Sequence, residues 1–314
     1  MRILLVGRFE PVLVAALQGH DDLVELPDGT QRAAFLAEHG TGIGAIVRSG
    51  KGRVDAALLA ELPNLEVIVN NSAGVDAVDL KEAQRRGIAV SNTPDVLTDS
   101  TADTALGLIL MTLRRFGAAE RYLRGGRWER DGDFPYGRDV TGLRVGILGL
   151  GRIGSAIAAR LSGFDCAIAY HNRHEIPGSP YRYAASPHAL AESVDLLVVS
   201  TAGGSGTDKL VDCEVLKALG PQGYLVNIAR GSVVDQDALV ELLANGDLAG
   251  AGLDVYADEP HVPSVLCDLD NVVLLPHVGS ATWRTREAMA RLAVRNLDSY
   301  LTTGRLLTPV PANA

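Results

Sequence analysis

The chain has 314 residues, a length typical of about two domains. A hydrophobic fraction of 47% and a charged fraction of 21% indicate a globular protein rather than a disordered one. The formal net charge of -9 argues against a nucleic-acid-binding surface or an acidic-membrane-binding surface. The longest apolar stretch, residues 105–113, is too short to cross a bilayer. Three widely spaced cysteines predict neither disulfides nor a metal site, so we expect a cytoplasmic protein.

The N-terminal part alternates short apolar runs with helical patterns. The apolar run at residues 3–6 is soon interrupted by charges, so it predicts a first strand rather than a secretion signal. Further strands are predicted at residues 23–26, 45–47, 67–70 and 88–90, with helices near residues 11–17, 32–38, 55–61 and 80–86. Such alternation predicts a parallel sheet covered on both faces.

A second unit follows a long helix, which is predicted to be capped by residues 98–100 and to end near Arg115. Residues 125–139 lack periodicity. Strands are then predicted at residues 143–148, 167–170, 196–199, 224–227, 250–253 and 272–274, before a last helix at 282–301. Because the second unit begins so late, we predict an α/β protein with two parallel-sheet domains. A Rossmann-type dinucleotide-binding domain (97–284) would be inserted into a flavodoxin-like substrate domain (1–96, with a returning segment 285–314).

A glycine fingerprint follows the strand at residues 143–148. Gly149, Gly151 and Gly154 form the pattern GxGxxG where a helix is predicted to begin. In this context the first glycine permits a tight turn, the second admits a pyrophosphate, and the third lets helix and strand pack closely. The sequence therefore predicts a dinucleotide site at this turn.

The end of the next strand predicts which dinucleotide is bound. A site for NAD usually places an acidic residue here to bind the ribose hydroxyls. This chain instead has Asn172, Arg173 and His174, and arginine binds phosphate through charge-assisted, bidentate hydrogen bonds. We therefore predict a preference for NADPH, with NADH as the weaker cofactor.

Three ionisable residues near the ends of later strands predict the chemistry. The Arg230 guanidinium would bind a substrate carboxylate and polarise the adjacent carbonyl, and His277 would protonate the new alkoxide. Glu259 would orient the imidazole and favour its charged form. Reduction of a 2-oxo acid requires this combination, so these are the predicted catalytic residues.

The chain resembles the D-isomer-specific 2-hydroxyacid dehydrogenases over nearly its whole length. The matching motifs lie at residues 73–76, 101–104, 148–154, 227–235, 252–260 and 276–282. Within the family the chain is most similar to the NADP-dependent glyoxylate/hydroxypyruvate reductases, a branch that includes the hydroxyphenylpyruvate reductases. The resemblance implies a homodimer formed mainly by the cofactor domains.

The resemblance also implies a wider set of site residues. Substrate contacts are implied for Arg230, His277, the amides of Ala73 and Gly74, and the loop that contains Arg48 and Ser49. Cofactor contacts are implied for Thr104, Leu150, Gly151, Arg152, Ile153, Thr201, Ala202, Ile228, Ala229, Arg230, Asp254, His277, Gly279 and Ser280. We add Thr207, which lies in a glycine-rich loop (201–207) that lacks the proline usual in the family.

The expected reaction is NADPH-dependent reduction of a short 2-oxo acid, with glyoxylate and hydroxypyruvate preferred, to the D-2-hydroxy acid. Trp283 is predicted at the mouth of the substrate pocket, with Trp128, Phe134 and Tyr136 at its rim. Because such aromatic residues can either fit or exclude a larger substrate, phenylpyruvate-type and sugar-derived 2-oxo acids stay open. A dinucleotide-sensing, corepressor-like interaction protein also stays open, since corepressors of this family keep the same three ionisable residues.

Overall fold

The structure is a computed structural model that describes residues 1–311. The described residues form two compact units, one made of Met1–Leu97 with residues 282–311, the other of Thr98–Ala281. The predicted boundaries, after residues 96 and 284, lie one and three residues from these limits. The last three residues of the predicted returning segment, 312–314, lie outside the described residues.

The first unit contains a five-stranded sheet in which every pairing is parallel. Its strands are β1 (Arg2–Gly7), β2 (Leu23–Glu25), β3 (Ile43–Ser49), β4 (Val67–Asn70) and β5 (Ala89–Ser91). The helices between them are α1 (Pro11–Ala16), α2 (Gln31–His39), α3 (Ala56–Ala60) and α4 (Leu80–Arg85). The strand order β2-β1-β3-β4-β5 is that of flavodoxin-like sheets, as predicted.

Both faces of this sheet are covered, because alternate residues of its central strands enter two different apolar clusters. Ile46 and Ile68 pack in one cluster, and Val47 and Val69 pack in the other. Every residue of β3 and β4 is buried, and each strand is apolar up to the polar residues at its carboxyl end, as expected for a parallel sheet covered on both faces.

The second unit contains a seven-stranded parallel sheet. Its strands are β6 (Arg144–Leu148), β7 (Ala167–His171), β8 (Arg182–Tyr183), β9 (Leu196–Val199), β10 (Tyr224–Asn227), β11 (Gly250–Leu253) and β12 (Val272–Leu274). Its helices are α5 (Thr98–Leu113), α6 (Phe116–Arg124), α7 (Arg127–Asp131), α8 (Arg152–Leu161), α9 (Pro187–Glu192), α10 (Cys213–Leu219), α11 (Gln236–Asn245) and α12 (Ser264–Asp268).

The strand order of this sheet, β12-β11-β10-β9-β6-β7-β8, places β6 between β7 and β9. The order reverses at this point, as in dinucleotide-binding folds, where ligands bind at the carboxyl ends of the strands. Because all the strands are parallel, the segments that follow β6, β9, β10, β11 and β12 emerge at the same edge. The predicted site residues of this unit lie mainly on those segments.

The long helix α13 (Trp283–Thr303) returns to the first unit. The Thr282 hydroxyl accepts a hydrogen bond from the Thr285 N–H and so caps its first turn. Its buried face, which includes Ala290 and Leu297, packs in the apolar cluster that contains Val69. No helix within residues 1–311 is long and apolar enough to cross a membrane.

Every strand predicted from the sequence is present, but three short elements were not predicted. Strand β8 has only two residues, and helices α6 and α7 follow a break at Arg115, which adopts a left-handed conformation with φ 55°. The prediction that residues 98–100 precede the long helix as its cap was wrong. They form its first turn, because α5 already begins at Thr98.

Candidate active site

The fingerprint turn joins β6 to α8, and two of its glycines are required by packing within the protein. Gly149 has φ 99°, and a Cβ atom there would lie 2.6 Å from the Thr201 Cα. A Cβ atom at Gly154 would lie 2.3 Å from the Gly149 carbonyl oxygen. Larger residues at either position would therefore separate the strand, the turn and the helix.

Gly151 differs, because nothing in the described protein requires a glycine there. Its φ of -91° suits any residue, and a Cβ atom would meet no atom within 4 Å. Gly151 is also the N-cap of α8, and no side chain caps this helix. The first turn thus presents N–H groups that have no partner within the helix, beside open space at Gly151. This arrangement fits the pyrophosphate of a dinucleotide.

The N–H groups of the turn are not all available to a ligand. The Leu150 N–H donates to the Asn172 Oδ1 at 2.7 Å, and the Gly151 N–H donates to the Gly149 carbonyl at 2.9 Å. The predicted contacts of Leu150 and Gly151 therefore cannot use these N–H groups without rearrangement, whereas Arg152 and Ile153 occupy the uncapped first turn. The Asn172 side chain thus bonds to this turn, and its predicted contact with a 2′-phosphate stays a prediction.

Arg173 and His174 follow β7 and are both exposed. The Arg173 guanidinium makes no hydrogen bond or ion pair with the described residues. One of its terminal nitrogens lies 4.0 Å from the position of a Cβ atom on Gly206, so the cation is close to the glycine-rich loop. A guanidinium without a bonded protein partner at this place can bind a phosphate.

The glycine-rich loop 201–207 contacts both the fingerprint turn and Arg230. Thr201 packs against Gly149, and a Cβ atom at Gly203 would lie 2.7 Å from the Arg230 Cγ. The Thr207 hydroxyl donates to the Ala202 carbonyl at 2.7 Å, so this predicted cofactor residue closes the loop on itself. Gly203 therefore permits the aliphatic part of Arg230 to lie directly on the loop.

Arg230 is positioned by the end of β10. The side chain of Asn227, which is 1% exposed, accepts from the Ala229 N–H and donates to the Arg230 carbonyl, both at 3.0 Å. The Ile228 N–H donates to the Val199 carbonyl at 3.2 Å. These bonds fix the backbone on both sides of Ile228 and Ala229, and the Arg230 guanidinium itself donates to the Ala229 carbonyl at 2.7 Å.

Glu259 and His277 form the direct contact that the sequence predicted. The Glu259 Oε2 lies 2.8 Å from the His277 Nδ1, and its Oε1 accepts from the Tyr256 N–H at 3.2 Å. The carboxylate is therefore held from both sides and selects the imidazole tautomer with a proton on Nδ1. The ring is 45% exposed, and its Nε2 is the nitrogen that can serve a substrate.

The loop that contains His277 is clamped by buried polar groups. Asp254, which is 2% exposed, accepts from the Val278 N–H at 2.7 Å and from the Gly279 N–H at 2.8 Å. Burial raises the pKa of Asp254, while these two hydrogen bonds and the nearby His277 partly oppose the rise. Asp254, predicted at the nicotinamide, thus already has both oxygens bonded to the His277 loop.

Two hydroxyl groups on α5 hold the same loop through its carbonyl. Ser100 and Thr104 donate to the Gly279 carbonyl at 3.0 and 3.3 Å. Ser100 was not predicted as a site residue. The signal was its spacing, because residues four apart share one face of a helix, and Thr104 had already been placed at the site. Ser280 follows directly in the clamped segment.

The predicted substrate residues of the first unit include an arginine that is buried. Arg48 is 7% exposed, and its guanidinium donates to the Gly50 carbonyl, to the Gly52 carbonyl at 2.6 Å and to the Asn70 Oδ1 at 2.9 Å. Ser49 is 5% exposed. The Arg48 side chain therefore holds the loop after β3, and its contact with a substrate stays a prediction.

The turn after β4 presents a different group. Asn70 donates to the Gly74 carbonyl at 2.8 Å, and Asn92 donates to the Ala73 carbonyl at 2.8 Å. The N–H groups of Ala73 and Gly74 donate to no acceptor in residues 1–311. A pair of neighbouring amides held in this way can bind a carboxylate.

The predicted aromatic residues are strongly exposed. Trp283, the first residue of α13, is 90% exposed, and Trp128 and Tyr136 of the second unit are 60% and 100% exposed. Phe134 instead packs edge-on against Tyr122. Their exposure provides apolar surface but does not select a substrate.

Known proteins resemble this chain over nearly its full length. Residues 106–279 match the family described as D-isomer specific 2-hydroxyacid dehydrogenase, NAD binding domain. The chain is 43% identical over 308 residues to glyoxylate/hydroxypyruvate reductase A of Arabidopsis thaliana, covering 98% of each. It is 48% identical over 276 residues to hydroxyphenylpyruvate reductase of Plectranthus scutellarioides, covering 88% of each.

A solved structure is also similar throughout. It is the NADPH-dependent glyoxylate/hydroxypyruvate reductase of Sinorhizobium meliloti in complex with NADP and malonate. The TM-score is 0.93 at 45% sequence identity, and the alignment covers 99% of this chain and 97% of the other.

Proposed function

The chain belongs to the D-isomer-specific 2-hydroxyacid dehydrogenase family, and from this we propose that it reduces glyoxylate to glycolate, and hydroxypyruvate to the D-2-hydroxy acid, with NADPH. It is an NAD(P)-dependent oxidoreductase by family. The observation that carries the proposal is the contact of 2.8 Å between Glu259 and His277, on a loop held by Asp254 at the same sheet edge as Arg230. The names of two relatives support the choice of substrates.

In the proposed reaction the residues bind the substrate and move one proton. Bound NADPH supplies the hydride to the carbonyl carbon. Arg230 binds the carboxylate of the 2-oxo acid and polarises its carbonyl. The His277 Nε2 donates its proton to the developing alkoxide while Glu259 holds the opposite side of the ring.

Larger 2-oxo acids are a second substrate class. The relative with 48% identity is a hydroxyphenylpyruvate reductase, and another, 42% identical over 268 residues, is a 2-ketogluconate reductase of Gluconobacter oxydans. A panel of glyoxylate, hydroxypyruvate, phenylpyruvate and 2-ketogluconate at fixed NADPH separates the classes. We expect the highest kcat/KM with the first two, and a clear maximum with either larger acid would overturn our assignment.

We propose that Arg173 makes the enzyme prefer NADPH over NADH by binding the 2′-phosphate. Arg173→Asp should raise the KM for NADPH by at least about tenfold, because it removes charge-assisted hydrogen bonds and adds repulsion. The KM for NADH should change little. Initial rates with both cofactors measure this, with Arg295→Asp on the exposed side of α13 as the control. An unchanged preference in Arg173→Asp would contradict the assignment.

A clamp residue offers a test of how the His277 loop is held. Asp254→Asn keeps the shape but leaves one buried N–H without an acceptor, so kcat should fall by about 10- to 100-fold. The matched control is Asp212→Asn, which changes the N-cap of α10, where asparagine is equally suitable. A normal kcat for Asp254→Asn would show that the clamp does not contribute to catalysis.

We propose that the enzyme is cytoplasmic. The free state of its three cysteines fits a reducing compartment.

We also propose that it is a homodimer formed by the second units. Phe116, Leu123 and Trp128 on α6 and α7 are each about half exposed or more, at 47%, 58% and 60%, which is typical of an interface. Light scattering of the eluting protein should give twice the chain mass of 33.1 kDa, and a monomer at micromolar concentration would contradict the proposal.

A further inference from the structure

The segment 172–176, which contains Arg173, is held at its far end by a buried tyrosine. Tyr170 on β7 is 0% exposed, and its ring lies in the apolar cluster that contains Ile157 and Leu161. Its hydroxyl oxygen accepts a hydrogen bond from the Ile176 N–H at 2.8 Å. The hydroxyl thus connects the core of the second unit to the end of this segment.

The choice of tyrosine over phenylalanine at position 170 requires an explanation. A phenylalanine would fill the same apolar space without burying a hydroxyl, and a buried polar group destabilises the fold unless it is hydrogen-bonded. Here the hydroxyl satisfies the Ile176 N–H. Its structural consequence is therefore local, because it fixes where the segment 172–176 ends.

A second tyrosine holds the beginning of the same segment. Tyr183 on β8 is the strand partner of Tyr170, and their ring centroids are 5.5 Å apart. The Tyr183 hydroxyl donates to the Asn172 carbonyl at 3.3 Å. The Asn172 side chain is in turn bonded to Leu150, so the start of the segment is fixed to the fingerprint turn as well.

Arg173 lies between these two anchors, and its guanidinium has no hydrogen-bonding partner in residues 1–311. Its location is consequently set by the backbone that the two tyrosines hold. We propose that Tyr170, assisted by Tyr183, is a positioning residue for recognition of the 2′-phosphate: it presents Arg173 to that phosphate and so contributes to the selection of NADP(H) over NAD(H). This inference rests on the proposed role of Arg173.

Equilibrium binding tests the inference, because NAD⁺ lacks the 2′-phosphate and serves as an internal control. Isothermal titration calorimetry of the full-length protein with NADP⁺ and with NAD⁺ would compare wild type, Tyr170→Phe and Tyr183→Phe. We expect Tyr170→Phe to raise the Kd for NADP⁺ by about 3- to 10-fold, the effect of one neutral hydrogen bond, with little change for NAD⁺. Tyr183→Phe should act in the same direction but less, since its hydrogen bond is longer.

The matched control is Tyr122→Phe. Tyr122 lies on α6 in the same unit, outside the candidate site, and is 8% exposed. Its hydroxyl donates to the Gly132 carbonyl at 2.9 Å. Its removal should leave both Kd values unchanged. Thermal unfolding of every variant establishes that the folded protein is being titrated.

The outcomes separate the inference from the proposal on which it rests. Suppose that the wild type binds NADP⁺ more tightly than NAD⁺, that Arg173→Asp removes this preference and that Tyr170→Phe keeps it. The positioning role of Tyr170 is then overturned, while the role of Arg173 stands. An equal rise in both Kd values for Tyr170→Phe would show a general structural role and also overturn it. A wild type without any preference would overturn the proposed role of Arg173 together with this inference.

Discussion

Replacing His277 with alanine should lower kcat by about 10²- to 10⁴-fold, the usual contribution of general acid catalysis. The variant loses the group that would protonate the alkoxide, whereas the fingerprint turn is unchanged and NADPH should still bind. Stopped-flow or steady-state oxidation of NADPH with glyoxylate measures kcat, and fluorescence titration measures cofactor binding.

The control for this substitution is His261→Ala. The His261 side chain is 81% exposed and pairs only with the exposed Asp258 among the described residues, so its loss should leave kcat unchanged. Near-normal turnover in His277→Ala would contradict the role of His277. Loss of NADPH binding would instead indicate that the 276–280 loop had collapsed, and Asp254→Asn would then be expected to show the same defect.

Arg230→Lys should lower kcat/KM by about 10²-fold or more although the charge is kept. A guanidinium can donate two parallel hydrogen bonds to a carboxylate, while an ammonium acts as a point charge on a flexible stem. The aliphatic part of Arg230 also packs against Gly203, which further fixes the position of the guanidinium. The measurement is kcat/KM for a 2-oxo acid at saturating NADPH.

The matched substitution is Arg291→Lys, which changes an exposed residue of α13 paired with Glu287. It should leave kcat/KM within the error of the assay. If Arg230→Lys behaves like this control, bidentate binding of the carboxylate by Arg230 is wrong.

The fold was largely predictable because its two sheets have buried, parallel strands. Such strands are short apolar runs separated by helices, as at residues 67–70 and 196–199, and their pattern is clear without any tertiary information. Strand β8 was missed because a strand of two residues has no periodicity. Helix α6 was missed because it is separated from α5 only by a short break at Arg115, whose left-handed conformation the sequence does not reveal.

The candidate site was predictable as a set of residues but not as a set of contacts. Glu259 and His277 were expected to meet, and they do, at 2.8 Å. In contrast, the sequence alone could not show that the Arg48 guanidinium donates to two backbone carbonyls and to Asn70, or that Asn172 binds the fingerprint turn. Which partner a polar side chain selects depends on the backbone around it, and that backbone is set by the fold.

The most direct test of the account is a NADPH oxidation assay of the purified protein with glyoxylate and with hydroxypyruvate. We expect steady turnover with both acids, stereospecific formation of the D-hydroxy acid where the product is chiral, and loss of this turnover in His277→Ala. Tight binding of NADPH without turnover of any 2-oxo acid would contradict the account and favour a dinucleotide-sensing interaction protein.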